Sequence, residues 1–315
     1  MSKIFIAGAT GFIGSELTEK LLEEGAEVYA LCRSVTDRKP ALPPEVIIIF
    51  CDLIDAHFMK MTMRKVNPDI VVHLAAQSSV AYSHDHAVEN VETTYIGTIN
   101  LQKACEGLSN LEKFIFAGTS EEYGNQRIYP IPETAPLLPN QPYAIAKVAA
   151  DSYLQYCKEA SGFPAITMRP FNTYGRKRNF TFVTESIIYQ MLTKMNVVLG
   201  SPTPLRDLMY VDDHVNGYIR CIKTPYEKVA NVRALNLCTG REISIGYLAN
   251  KIAELTGFTG QINWNVKNRP TEIYRLLGDY SIAEDVIKWK PQYTLEEGLK
   301  LTIKNVEDYV KCQKN

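Results

Sequence analysis

The sequence predicts an α/β protein built on a doubly wound parallel sheet, followed by a smaller α/β lobe toward the C-terminus. Three observations lead there. Short apolar runs alternate with amphipathic stretches through the first half, a glycine-rich turn directly follows the first run, and the texture becomes irregular after Asn172. With 315 residues, 46% of them hydrophobic, the chain can bury a core large enough for one big domain or two interlocked ones.

KIFIAG reads as the first strand, and an amphipathic helix runs from Ile13 to Glu24. The strands EVYALC and EVIIIFCD, a helix near His57 to Lys65 and the strand DIVVHLAA follow. The alternation continues with a helix over Asn90 to Glu106, the strand KFIFAGTS, a helix over Tyr143 to Ser161 and the strand AITMRP. That makes six or seven parallel strands joined by right-handed crossovers. Beyond Asn172 lie Pro202, Pro204, a helix near Ile245 to Leu255 and a C-terminal helix near Leu295 to Tyr309. The segment RALNLCTG, near 233–240, reads as one more strand returning to the main sheet.

Composition excludes several classes of function. A net charge of -1 without a basic block gives no nucleic-acid surface, because phosphate binding needs clustered Lys and Arg. No apolar run approaches the roughly 20 residues that span a bilayer, and MSKIFIAGATGFIG lacks the layout of a signal peptide. The seven cysteines are scattered, without zinc or disulfide spacing, which fits a reducing compartment. A cytoplasmic location, with no membrane and no nucleic-acid partner, is expected. His84 and His86 flank Asp85, but adjacent side chains cannot all converge on one ion, so no metal is expected. His57, His73 and His214 read as structural.

Gly8, Gly11 and Gly14 in GATGFIG stand between the first strand and the first helix. A tight turn there lets backbone N–H groups and the helix N-terminus meet a pyrophosphate. Thr10, Phe12 and Ile13 belong to the same turn. Leu53, Ala75, Ala76 and Gln77, after later strands, extend the expected cofactor site along the sheet edge. A carboxylate ending the second strand would select NAD; here Arg33 stands there and offers a cation for a 2'-phosphate, which favours NADP with NAD as the alternative. Asp52 is placed to accept from an adenine amino group. On this reading 1–172 is the Rossmann-type dinucleotide-binding domain, with 207–240 returning to it, and 173–315 is mainly a substrate-binding lobe.

Tyr143 and Lys147 in PYAIAK are four residues apart on one helix face, and both are also expected to contact the cofactor. The ammonium is expected to lower the phenol's pKa, making Tyr143 a base for a sugar hydroxyl. Thr119, in AGTSEEYG, adds a hydroxyl that orients the same oxygen.

GATGFIG, HLAAQSSV, AGTSEEYG, YAIAK and RPFNTYG together resemble the extended short-chain dehydrogenases that modify nucleotide sugars, over nearly the whole chain. The resemblance implies a retained nicotinamide cofactor, a nucleotide-diphosphate sugar substrate, and at least a homodimer, or a homotetramer, paired through the helices near 90–106 and 143–160. Thr119, Ser120 and Glu121 resemble in particular the GDP-mannose 4,6-dehydratases, as does NRPTEIYRLLGD. In such dehydratases a carboxylate at the Glu121 position removes the C5 proton, acidified by the 4-keto group, while the C6 hydroxyl departs; Ser120 stands where some carry an aspartate. Glu122 is expected to point away. A 4-epimerase and a UDP-glucuronate decarboxylase remain the alternatives. For the diphosphate, Arg206 and Arg269 match the family's phosphate-contacting arginines and Asn172 can donate its amide, with Tyr174 and Arg176 as further candidates. Ser78, Ser79 and Val80, in the loop after HLAAQ, should face the hexose.

Overall fold

The computed structural model describes residues 2–33, 42–176, 179–266 and 271–313. Six strands fall where the apolar runs stand: β1 (Lys3–Ala7), β2 (Glu27–Cys32), β3 (Ile47–Phe50), β4 (Ile70–His73), β5 (Lys113–Ala117) and β6 (Ala165–Pro170). Seven more follow: β7 (Asn172–Tyr174), β8 (Asn196–Leu199), β9 (Leu205–Tyr210), β10 (Ala234–Leu237), β11 (Glu242–Ser244), β12 (Gln261–Trp264) and β13 (Arg275–Leu276). The main sheet has seven strands in the order β10-β6-β5-β4-β1-β2-β3, every ladder parallel. This Rossmann-type order reverses direction beside β1, where ligands of such sheets bind at the carboxyl ends.

Both faces of that sheet are covered, which is why its strands read as continuous apolar runs. Ile4 and Ile6 of β1 share one core with Leu17 and Leu21 of helix Phe12–Glu23 and Val215 and Ile219 of helix Val211–Lys223. Phe5 and Ala7 point the other way. They pack with Met59 and Met63 of helix Ala56–Val66, Leu101 of helix Gly97–Cys105 and Leu154 of helix Pro142–Ser161.

Two elements differ from their sequence reading. The helix expected over 90–106 is segmented into Ala87–Val91, a π-helical turn Glu92–Ile96, and Gly97–Cys105. The turn inserts a residue without changing the direction of the chain, so apolar periodicity reads straight through it. The loop expected at Ser78–Val80 ends in a short helix, Val80–Asp85, capped by Ser79, whose hydroxyl accepts from Tyr82 N at 3.2 Å.

The smaller lobe carries β9 flanked by antiparallel β11 and parallel β13 and β7, and a separate β8–β12 pair. Because β9 stays in that lobe, the return to the main sheet begins at helix Val211–Lys223 rather than at residue 207, and finishes with β10 beside β6. Helices Ile245–Thr256 and Leu295–Cys312 pack within the lobe, the second opened by a capping box between Thr294 and Glu297.

Candidate functional site

The carboxyl ends of β1, β2, β4, β5 and β6 converge on one edge of the sheet, and most of the expected site residues gather there. At β1 the chain turns through Gly8, whose φ of +91° only glycine adopts without strain, and a Cβ at Gly8 would lie 2.7 Å from Ala75 N. A Cβ at Gly14 would meet Gly8 O at 2.1 Å. Gly11 N donates to Gly8 O at 3.0 Å, closing the turn as Gly11 caps helix Phe12–Glu23. Thr10 and Gly11 are exposed, with Phe12 and Ile13 half-buried behind them. Bare backbone at a helix N-terminus suits a pyrophosphate.

Next to the turn is a cavity of about 230 Å³ lined by Leu31, Arg33, Cys51, Asp52, Leu53, Ala75, Ala76, Gln77 and Thr93. It brings together Arg33, Asp52, Leu53, Ala75, Ala76 and Gln77, but not Tyr143 and Lys147, the other two cofactor candidates outside the glycine turn. Arg33 is exposed at its rim, and Asp52 Oδ1 accepts from Ile54 N at 3.1 Å. Donor groups, a glycine cradle and an adjoining cavity are what a dinucleotide requires.

Tyr143 lies in the first turn of helix Pro142–Ser161, packed against the end of β5, and is 9% exposed. The Thr119 hydroxyl lies close to its phenol. Burial holds the phenol above its ordinary value, Thr119 opposes this, Glu121 and Glu122 add to it, and Lys147 is not among the groups that shift it. Lys147 is drawn to the strand instead. Its Nζ donates to Ala117 O at 2.5 Å, and burial pulls its pKa down to about 8.

After β5, Thr119 opens a 3₁₀ turn, Ser120–Tyr123, that carries both carboxylates. Ser120 is buried. Glu121 is half-buried, and its Oε2 accepts from Gln141 Nε2 at 2.7 Å. Burial raises its pKa, with the Arg206 guanidinium and the Gln141 amide pulling the other way. Glu121 and the Tyr143 phenol are within electrostatic reach of each other.

Glu122 points away from Glu121 by turning into the core. Its Oε1 accepts from Thr119 N at 3.0 Å, and its Oε2 accepts from Arg169 Nε at 2.8 Å. Arg169, 1% exposed on β6, also binds Asp151 Oδ2 at 2.6 Å and lies over the Tyr123 ring. Burial and repulsion from Asp151 push Glu122 up to about 7 against the pull of Arg169. This buried knot braces the turn that presents Glu121. It could have been noticed in the sequence, because an arginine inside the apolar strand AITMRP demands a buried partner. Gln141 was missed as well, although it directly precedes the PYAIAK motif.

Of the substrate candidates, Arg206 lies on β9, where its Nη1 donates to Leu205 O at 2.9 Å within reach of Glu121. Neighbouring Asp207 accepts from Thr239 N and Gly240 N at 2.8 and 2.9 Å, fixing the start of β9. Asn172 opens β7 with its Oδ1 buried and unpartnered among the described residues. Ser78 is exposed, while Ser79 and Val80 are half-buried. Arg269 lies outside the described residues. Tyr174 does not fit a binding role: it is 1% exposed and its hydroxyl donates to Leu295 O at 3.2 Å. Arg176 sits between the rings of Phe12 and Phe182, at 4.3 and 3.7 Å, behind the glycine turn.

His73 and His214 are buried and hydrogen-bonded to Thr98 and Thr173, whereas His57 is exposed and has no place in the core. No group of metal-ligating side chains occurs among the described residues, and none of their helices is long and apolar enough to cross a membrane.

A family model described as GDP-mannose 4,6 dehydratase matches residues 5–302. A putative UDP-glucose 4-epimerase of Methanocaldococcus jannaschii is 28% identical over 95% of this chain and 97% of its own. The dTDP-D-glucose 4,6-dehydratase of Homo sapiens is also 28% identical, over 96% and 89%. Among solved structures, the UDP-glucose 4-epimerase of Thermotoga maritima with UDP-glucose superimposes with a TM-score of 0.90 at 28% identity, covering 98% of this chain and 99% of that one. The Thermus thermophilus UDP-glucose 4-epimerase complex with NAD gives 0.87 at 26%, over 97% and 99%. The glycine turn, the Thr119–Tyr143–Lys147 cluster and these matches agree: the chain belongs to the GDP-mannose 4,6-dehydratase family of nucleotide-sugar dehydratases and epimerases.

Proposed function

We propose that the protein is a nucleotide-sugar 4,6-dehydratase that holds NADP(H) and turns over a nucleotide-diphosphate hexose. The observation that carries this reading is Glu121, a desolvated carboxylate presented beside the Tyr143 phenol and held by Gln141. A 4-epimerase needs an acid–base group at O4 only, and a second base near the same sugar has no task there. With its pyrophosphate held at the glycine turn, a nicotinamide dinucleotide would supply a hydride acceptor for C4 and a hydride donor for C6. Tyr143 accepts the O4 proton, Thr119 orients that oxygen, and Lys147 fixes the Tyr143 face of the helix at the end of β5. Glu121 takes the C5 proton; burial, which raises its pKa, makes it a stronger base and then a competent acid for the departing hydroxyl. Arg206 and Asn172 serve the diphosphate, joined by Arg269, and Ser78, Ser79 and Val80 serve the hexose.

The second reading is a 4-epimerase, favoured by the names of the Methanocaldococcus and Thermotoga relatives. Incubation with a panel of nucleotide sugars, GDP-mannose first, distinguishes them. A 4-keto-6-deoxy product without net consumption of NADP is expected, whereas interconversion of C4 epimers alone would establish the epimerase.

Arg33, at the rim of the cavity, supports NADP over NAD. Arg33→Ala is expected to weaken NADP binding about tenfold to a hundredfold, the range for a charge-assisted hydrogen bond, and to leave NAD binding nearly unchanged. Fluorescence titration with both dinucleotides reads this directly, and equal losses would place the preference elsewhere. We also infer a homodimer built on the helices that expose Val88, Val91, Ile145 and Tyr156; a monomeric mass in light scattering would exclude it. Six of the seven cysteines are buried and free, which supports a reducing, cytoplasmic setting.

A further inference from the structure

We propose that Gln141 is the positioning residue of the elimination step: its amide engages one oxygen of Glu121, leaving the other oxygen, Oε1, to carry the proton from C5 to the departing C6 oxygen. The inference rests on the dehydratase reading above.

Gln141 stands at the N-terminus of helix Pro142–Ser161, two residues before Tyr143, and is 3% exposed. Short Ser, Thr, Asn or Asp side chains cap helices at that position; the longer Gln141 makes no capping bond. Its Nε2 donates instead to Glu121 Oε2 at 2.7 Å. Its Oε1 is buried and has no partner among the described residues. An unmatched buried acceptor costs stability, so a side chain present only to fill space would be better served by leucine or methionine. The bond to Glu121 is what distinguishes an amide here.

Among the described residues the Gln141 amide is hydrogen-bonded to the Glu121 carboxylate, with the Arg206 guanidinium from β9 and the Tyr143 phenol within electrostatic reach. The adjacent Glu122 faces Arg169 in the core. Arg206 and Gln141 favour the ionised form and burial opposes it. Arg206 acts as a charge, whereas Gln141 also fixes which oxygen is occupied.

With Oε2 occupied by an N–H donor, the proton that leaves C5 goes to Oε1. The C5–H bond breaks, an O–H bond forms, and the electron pair passes into the enolate of the 4-ketone. As the enolate collapses, the C5=C6 bond forms and the C6–O bond breaks. The proton on Oε1 leaves with that oxygen as water, which returns Glu121 to its ionised form. The Gln141 bond persists throughout.

The test is Gln141→Met, which keeps the volume and removes the donor. Because the donor stabilises the carboxylate, its loss raises the pKa of Glu121, so the acid limb of the C5 exchange rate in deuterium oxide should move up by about one pH unit. Product formation near neutral pH should fall about tenfold, while nicotinamide reduction on mixing with the sugar keeps its wild-type rate. An unmoved acid limb, or equal loss in both half-reactions, would overturn the assignment. Gln141→Ser, which leaves room for water, is read in the same way if the methionine variant does not fold. A wild-type enzyme that only interconverts C4 epimers overturns the dehydratase reading and this inference with it, whereas a dehydratase with an unmoved limb overturns this inference alone.

Discussion

Glu121→Gln is expected to stop water elimination while leaving the first oxidation intact. On the proposed reading Tyr143, Thr119 and Lys147 serve O4, and none of them depends on the Glu121 charge for its placement: Tyr143 is held by its helix, and Lys147 by Ala117 O. The amide keeps the shape of the side chain and removes the base. The variant should therefore reduce its nicotinamide cofactor on mixing with its sugar, visible as nicotinamide absorbance, and then stall without exchanging the C5 hydrogen. A positioned general base contributes roughly 10²–10⁴-fold, so overall turnover should fall by at least that factor. Wild-type turnover in the variant would show that Glu121 is not the base.

Tyr143→Phe should abolish both half-reactions, because the proton acceptor at O4 is needed before any hydride can leave C4. A fall of roughly 10²–10⁴-fold is expected from loss of the acid–base group, with nicotinamide reduction lost in step with turnover. Cofactor affinity should change little, since the glycine turn and the cavity around Asp52 do not involve the phenol. The pH dependence follows from the direction of the shift. Burial holds the phenol above its ordinary value, so the deprotonated form is scarce near neutrality and the oxidation rate should climb as pH rises. That climb should be missing from the residual rate of the phenylalanine variant; if the climb persists there, it belongs to another group.

Much of the candidate cofactor site was legible in the sequence because its parts are local. A strand, three glycines and a helix start are contiguous in GATGFIG, and each later candidate sits at the end of an apolar run that announces itself as a strand. The Arg33, Asp52 and Gln77 positions could be placed on one edge once the sheet was taken as parallel, and the cavity lies there. Tyr143 and Lys147 share a helix face by spacing alone. Their electrostatics were not legible: four residues of separation suggested that the ammonium would act on the phenol, but the end of β5 offers Lys147 a carbonyl, and burial governs Tyr143.

By itself, the sequence determined the alternation of strands and helices, the two-sided burial of the main sheet, the glycine turn and the candidates at the strand ends, because periodicity and spacing record what happens within one element and its neighbours. The tertiary structure alone decided which polar groups from distant elements meet. Glu121 found Gln141 across 20 residues, Glu122 found Arg169 across 47, and β9 stayed with the small lobe while the next helix returned to the large sheet. A buried charge states in the sequence that it needs a partner, but which partner is set by the order in which the strands are laid side by side.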